Sequence, residues 1–258
     1  MSVPDTSAGR VTERDHAEAA RIATLAGELL VDLRRRLVAE GTPTAILKNA
    51  GDRSAHDLIM RELTAQFPAD AVLSEEGADL AARLGAARTW IVDPLDGTRE
   101  FGEHPRSDWA VHVALVVDER PVAGAVALPA FAMTLSTHRP TALVARHDGP
   151  PRLIVSRSRP PVAAMIVAEA LGAELVAMGS AGAKAMAVVL GHADIYAHSG
   201  GQYEWDSCAP VAVAKAAGLH VSRIDGSELR YNQPDPYLPD LLICRPELAA
   251  EVLRALAG

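Results

Sequence analysis

The sequence predicts a mixed α/β fold, α+β in its N-terminal half and α/β in its C-terminal half. Three observations carry that expectation. Ile22, Leu25, Leu29, Leu33 and Leu37 recur at helical spacing near the start, and three β-like runs, "WAVHVALVVD", "RPVAGAVALPA" and "AMTLSTH", follow one another in the middle. Beyond Arg152, strand-like and helix-like stretches take turns.

Thr12 can cap the first helix, and Arg34 to Arg36 stand near its carbonyl end, where cations are favoured. A polar stretch, "LKNAGDRSA", leads into a second amphipathic helix expected around His56 to Gln66. "AVLSEEG" then reads as a short buried strand ending in acids, and a helical linker joins it to the strand "TWIVDPLDGT". Turn signals at Asp118 to Pro121 and around Pro129 divide the three β-like runs into an antiparallel sheet. At Thr137 to Arg152 prolines, glycine and charges interrupt the pattern, which suggests a boundary between residues 1–145 and residues 146–258. After it come the strand "RLIVSRS", a helix started by Pro160 and Pro161 and running to Leu171, the strand "AELVAMGS" and the helix "AGAKAMAVVLG". The strand "ADIYAHS" and the helix "WDSCAPVAVAKAAG" continue the alternation. Asp225-Gly226 marks a turn, and a strand and a Pro246-started helix close the chain.

Composition limits what the protein can do. With 258 residues, 49% of them apolar, it can bury a sizeable core. A net charge of -8, from 33 acidic and 25 basic side chains, gives no long-range attraction for a nucleic-acid backbone or an anionic membrane, so an anionic ligand needs a local site. Four tyrosines, three tryptophans and three phenylalanines are too few and scattered for a base-stacking platform. The longest uncharged apolar run, Pro121 to Thr137, is broken by Gly124 and Pro129, and "MSVPDTSAGRVTERD" lacks a basic segment followed by an apolar core. Neither a membrane span nor a signal peptide is expected. Cys208 and Cys244 stand far apart without metal-site spacing, which points to a reducing cytoplasm.

Four acids stand at element boundaries: Glu75 after "AVLS", Asp93 and Asp96 in "DPLDGT", and Asp206 in "EWDSCAP". Carboxylates that converge without basic partners repel unless a cation joins them, and hard cations such as Mg²⁺ take carboxylate and carbonyl oxygens. Taken singly, each has an ordinary reading: Asp-Gly as a turn, Asp206 as a helix cap, "SEEG" as a solvated loop. An EF-hand starting at Asp93 fails, because Leu95, Gly97 and His104 stand where oxygen ligands are needed. "GSAGAK", Gly179 to Lys184, lacks Walker spacing, and no G-x-G-x-x-G, G-x-S-x-G or H-E-x-x-H occurs.

Together "LSEEG", "WIVDPLDGT" and "EWDSCAP", in that order and spacing, resemble the lithium-sensitive, Mg²⁺-dependent phosphatase superfamily that includes inositol monophosphatase. The first helix, Gly51-Asp52 and "LGHADIYAH" extend the resemblance over nearly the whole chain. It implies a layered αβαβα sandwich with metals and substrate at the junction of its two halves, and a homodimer. Within that family "DPLDGTREF" is similar to the "DPLDGTKEF" of CysQ-type phosphatases, which remove the 3′-phosphate from 3′-phosphoadenosine 5′-phosphate. Inositol monophosphatases carry Thr-Asn-Phe after the same turn, and "VLSEE" and "VSRS" also lean towards CysQ. The chain departs from that pattern at "SAGAK", Ser180 to Lys184, in place of Ser-Ser-Leu-Lys, and at His198 in place of an arginine.

The resemblance assigns Glu75, Asp93, Asp96 and Asp206, with the Leu95 carbonyl, to two or three Mg²⁺ ions, and it implies inhibition by Li⁺. It makes Thr98 paired with Asp52 the unit that orients the attacking water, with Glu75 touching both metal and water. Gly97 permits close backbone approach, and a helix beginning near Thr98 offers amide donors to the scissile phosphate. A turn or cap role remains open for Asp52. Arg99, Ser156, Arg157, Ser158, Ser180 and Lys184 are candidates for a second phosphate or a ribose, because guanidinium, ammonium and hydroxyl donors suit phosphate oxygens. Plain surface solvation is the alternative for Arg99 and Arg157. Glu100 reads as a first-turn helix acid, Trp205 as packing that fixes Asp206, and the nine histidines as structural or surface residues. The expected activity is a nucleotide 3′-phosphatase acting on a small phosphorylated nucleotide, with an inositol- or fructose-phosphate phosphatase as the alternative. A non-catalytic sensor on the same fold would be expected to lose an acid or the threonine, and all are present.

Overall fold

Two five-stranded sheets and seven helices stack in five layers in this computed structural model, which describes residues 9–78 and 81–258. The first sheet has the order β1 (Ala71–Ser74), β2 (Thr89–Asp96), β3 (Ala110–Val117), β4 (Arg120–Leu128) and β5 (Met133–Ser136). Only its β1–β2 pair is parallel. The second has the order β7 (Glu174–Met178), β6 (Arg152–Ser156), β8 (Ile195–Tyr203), β10 (Tyr237–Cys244) and β9 (His220–Ser222). Helices α1 (Glu13–Ala39) and α2 (Thr44–Gln66) cover the outer face of the first sheet, while α4 (Val162–Leu171) and α7 (Pro246–Ala257) cover that of the second. Between the sheets lie α5 (Ala181–Val189) and α6 (Glu204–Ala216); α3 (Thr98–Gly102) is a single turn after β2.

β2 and β3 are buried along almost their whole length and β10 over its second half, and the period of two sorts their side chains between layers, whereas β7, at the edge of the second sheet, is largely exposed. In β3, Val111, Val113 and Leu115 face α1 and α2, whereas Ala110 and Ala114 face the middle layer. In β10, Leu241 and Ile243 face the middle layer and Leu242 and Cys244 the outer helices. Such strands read as continuous apolar runs, which is why their positions are plain in the sequence. The largest cluster joins Leu73, Ile91 and Val126 to Met186, Tyr196, Cys208 and Leu241, so it draws on both sides of residue 145. Residues 137–151 form an irregular strap between the sheets.

The helices differ from expectation in two instructive ways. α1 buries Ala19, Ile22, Ala23, Ala26 and Leu30, while Leu25, Leu29, Leu33 and Leu37 are only half-buried. Small side chains let the helix sit close to the sheet, so the tight face is the alanine face and the large residues lie at its margin. α2 begins at Thr44, not near His56, and the polar stretch is helical. Its buried stripe is Leu47, Gly51, Ala55, Ile59 and Leu63, at a strict interval of four, with a glycine and an alanine that carry little apolar signal. The segment before β2 is a 3-10 turn, Ala81–Gly85; Asp79 and Leu80 of the expected linker lie outside the described residues. β8 runs on to Tyr203, beyond the expected "ADIYAHS". Among the described residues no helix is long and apolar enough to cross a membrane.

Gly51 places α2 against α3. A Cβ there would lie 2.7 Å from Cε1 of Phe101 and 2.9 Å from a Leu95 methyl, so Gly51→Ala must push the two helices apart. Overpacking of this kind costs about 1–3 kcal/mol. Thermal unfolding is expected to show that loss, together with reduced turnover, because the neighbouring Asp52 contacts α3.

At the start of α1, Asp15 accepts from the Thr12 amide at 2.7 Å and pairs with Arg88 at 2.5 Å. Burial works against its charge, but Arg88 and Thr12 outweigh it and lower its pKa below the usual 3.8. The stability this contributes is complete above pH 3.8 and is lost as the pH falls through the lower folded-state value. Denaturant unfolding between pH 3 and 7 is expected to give a flatter acid limb for Asp15→Asn than for the natural chain.

Candidate active site

A break in strand register assembles the site. Asp93 pairs with His112 and Asp96 with Ala110, so three steps along β2 match two along β3. Residues three apart on a regular strand face opposite ways. The extra residue turns Asp96 onto the side of Asp93, facing the middle layer, while Leu95 points back into the α1–α2 core. Gly97 follows with φ of +85°, a conformation that favours glycine, and opens α3. The Leu95 amide donates to Oδ1 of Asp93 at 3.0 Å.

Asp206 comes from the first turn of α6, where its Oδ2 accepts from the Tyr203 amide at 2.7 Å. Asp93, Asp96 and Asp206 each bring a carboxylate oxygen within 4.8 Å of the others. Asp93 and Asp96 are buried, and among the described residues the only salt-bridge partner of the three is His112, on Asp96. Burial first, then repulsion from Glu75, Asp96 and Asp206, raises the Asp93 pKa well above the usual range. Asp206 is pushed up to about 6 by burial and by Asp96. This is the donor set of a hard divalent cation, and a bound cation would relieve the repulsion.

Asp96 is held differently. Its Oδ2 accepts from the Ser180 hydroxyl at 2.5 Å and the Gly182 amide at 2.6 Å, and Oδ1 from the Ala181 amide at 3.1 Å. The unpaired amides and positive dipole end of α5 thus close on this carboxylate. Burial would raise its pKa, but His112, Lys184 and the Ser180 hydroxyl hold it at about 2. Oδ1, with one longer contact, keeps the freer lone pairs for a cation.

Glu75 stands exposed at the rim, outside the three-acid group, and shares a hydrogen bond with Asp93. Partial desolvation by the cleft walls, with repulsion from Asp206, Asp96 and Glu76, pushes it up to about 7. Asp52 lies within α2, not in a turn, and its Oδ1 is 3.1 Å from the Thr98 hydroxyl, which also lies 3.0 Å from the Leu95 carbonyl. Burial and Glu76 push Asp52 up to about 6, against the opposing effect of Thr98.

The structure does not gather Arg99, Arg157 and Lys184 into a free basic pocket. Arg157 donates to Glu100 at 2.8 Å and to Glu103 at 2.9 Å, and exposed Arg99 pairs with the same Glu103 at 3.0 Å. Glu100, beyond being a helix acid, therefore anchors Arg157. Lys184 is buried, donates to the Ser180 carbonyl at 2.6 Å and lies over the Tyr196 ring; burial lowers its pKa. Ser180 caps α5, Ser156 accepts the Arg159 amide, and Ser158 is exposed. His198 places Nε2 2.6 Å from the Gly200 carbonyl. Trp205 packs partly against the main core and stacks on Tyr203.

His112 and the Ala181–Gly182 amides are the parts that sequence reasoning missed. His112 is fully buried, and the signal was a lone imidazole within the apolar run "WAVHVALVVD". Nothing in sequence marks backbone amides as partners of a carboxylate some 85 residues away.

Comparison with known proteins bears on this site. The chain is 50% identical over 251 residues to the 3′-phosphoadenosine 5′-phosphate phosphatase of Mycobacterium leprae, covering 93% of this chain and 92% of that one. It is 32% identical over 200 residues to the 3′(2′),5′-bisphosphate nucleotidase CysQ of Escherichia coli K12, covering 73% of this chain and 81% of that one. The crystal structure of CysQ from Bacteroides thetaiotaomicron superposes with a TM-score of 0.76 at 28% identity, over 90% of this chain and 97% of that one. The sequence pattern of the inositol monophosphatase family matches residues 11–257, from the first helix to the last. With that coverage and the five-layer fold, the chain belongs to the inositol monophosphatase family.

Proposed function

We propose that this protein is a Mg²⁺-dependent phosphatase that releases the 3′-phosphate of 3′-phosphoadenosine 5′-phosphate, leaving AMP and phosphate. The Asp93–Asp96–Asp206 cluster carries the reading, and the half-identical relative named for that substrate supports it. Glu75, Asp93, Asp96, Asp206 and the Leu95 carbonyl would hold two or three ions. Bound Mg²⁺ supplies Lewis-acid polarisation of the phosphoryl oxygens and a more acidic water.

The chain's own groups do the rest. Hydrolysis adds water across the P–O3′ bond: the attacking oxygen loses a proton, and the ribose oxygen leaves and gains one. The Thr98 hydroxyl gives its single hydrogen to Asp52 or to the Leu95 carbonyl, so its lone pairs stay available to a water's hydrogen. Asp52 fixes that hydroxyl, and Glu75 at the rim is the carboxylate that would touch both ion and water. Gly97 lets the phosphate approach the backbone. Buried, disulfide-free Cys208 and Cys244 support a cytoplasmic enzyme, and a homodimer and Li⁺ inhibition are what the family resemblance leads us to propose. Inositol and fructose phosphates are the alternative substrates, and phosphate release from a panel of all three classes decides between them.

Asp96→Asn is expected to lower turnover by orders of magnitude, since an amide weakens cation binding and sets an N–H against the Ser180, Ala181 or Gly182 donors, and thermal unfolding checks that the variant stays folded. Malachite-green phosphate release with Mg²⁺, with excess chelator and with millimolar-scale LiCl checks this. Full activity in chelator would refute the metal reading, and indifference to lithium the family expectation.

Arg157 and Arg99 converge on Glu103, and a second phosphate can displace that carboxylate, because ion pairs open to solvent are weakly held. Arg157→Ala is therefore expected to raise KM for the bisphosphate, losing about 1.5–3 kcal/mol of charge-assisted binding, with little change on a monophosphate. Lys184→Ala is expected to weaken both substrates alike, because Lys184 touches Ser180, the cap on Asp96. Parallel KM measurements on the two substrates separate these outcomes.

A further inference from the structure

His112 lies in the middle of β3, fully buried, against three elements that carry the site. Its Nδ1 is 2.9 Å from the carbonyl of Trp205, the residue before Asp206. A carbonyl only accepts, so Nδ1 carries the hydrogen. On the other side of the ring, Nε2 lies 3.2 Å from Oδ2 of Asp96. The third element is the first turn of α5, where Gly182 leaves the imidazole its room: a Cβ on Gly182 would stand 2.0 Å from Nε2.

We propose that His112 is a positioning residue that sets the separation of Asp96 and Asp206 and thereby the cation affinity of the cluster. Asp96 ends a strand of the first sheet and Asp206 opens a helix leading from the second, so their spacing depends on how the middle layer sits. The imidazole spans that gap as a flat spacer of fixed length. A core residue present only to fill volume would have no reason to set one ring nitrogen on the Trp205 carbonyl and the other, buried and without a hydrogen-bond partner, 3.2 Å from an Asp96 oxygen. Partners outside the ligand set orient metal-binding groups, and altering them changes metal affinity by about 10–100-fold.

The proposal rests on the reading of the three acids as a cation site, and the experiment separates the two. His112→Asn keeps a donor near the Trp205 carbonyl and loses reach towards Asp96; His112→Gln reaches towards Asp96 without the ring's fixed angle. Mg²⁺ binding to the substrate-free proteins is followed by calorimetry, and thermal unfolding is measured in EDTA. The expected result is a dissociation constant raised about 10–100-fold in both variants while they remain folded in EDTA, with turnover recovering at high Mg²⁺. A dissociation constant within twofold of the natural protein overturns the proposal. So does failure of both variants to fold, which assigns His112 to the core alone. Absence of Mg²⁺ binding by the natural protein would remove the cation site itself, and the proposal with it.

Discussion

Three carboxylates within 4.8 Å of one another cannot all be charged without compensation, and much of the structure answers to that constraint. One of them, Asp96, is compensated by the protein itself, through the N-terminus of α5 and His112. The other two are left dependent on protons or on a cation, and Glu75 shares their predicament from the rim. Cation uptake and proton release at this site are thus two sides of one event, and affinity for the ion must rise with pH. All three carboxylates are oriented by backbone amides before any ion binds, but only the charge of Asp96 is balanced by the protein.

The same arrangement ties chemistry to architecture. Asp96 belongs to the first sheet, yet most of its hydrogen bonds come from a helix that packs against both sheets. The scissile-phosphate side, by contrast, is built locally: Gly51 lets α2 approach α3, and Asp52 and Thr98 meet as a result. The middle layer sets the metal geometry, and the outer α2–α3 contact sets that of the water. The two meet at Leu95, whose side chain packs on Gly51 and whose carbonyl accepts from Thr98.

Much of this was legible in the sequence. Strands buried on both faces announce themselves as apolar runs, and Pro246, Pro160-Pro161 and Asp225-Gly226 punctuate the chain where elements change. The acids were found because four of them stood at such punctuation without basic neighbours. What escaped notice has a common cause: close packing through small residues. The alanine face of α1 and the Gly51–Ala55 stripe of α2 carry little hydrophobic signal, although they bury the tightest contacts. The side-chain network escaped for another reason. Arg157 with Glu100 and Glu103, and Asp96 with Ser180, are pairings across more than fifty residues that no local pattern encodes.

The largest apolar cluster runs through α5 and α6 into both sheets, and that has a kinetic meaning. An enzyme whose two halves own separate cores can open and shut like jaws around a ligand. Here such a motion would expose the shared interior, and the apolar area that joins the two sheets resists it. At the rim stand the exposed carboxylates Glu75 and Glu76 and the ion-paired side chains Arg99, Glu103 and Arg157. Rearrangement at this rim is a matter of side-chain rotamers, which change faster than packed layers move.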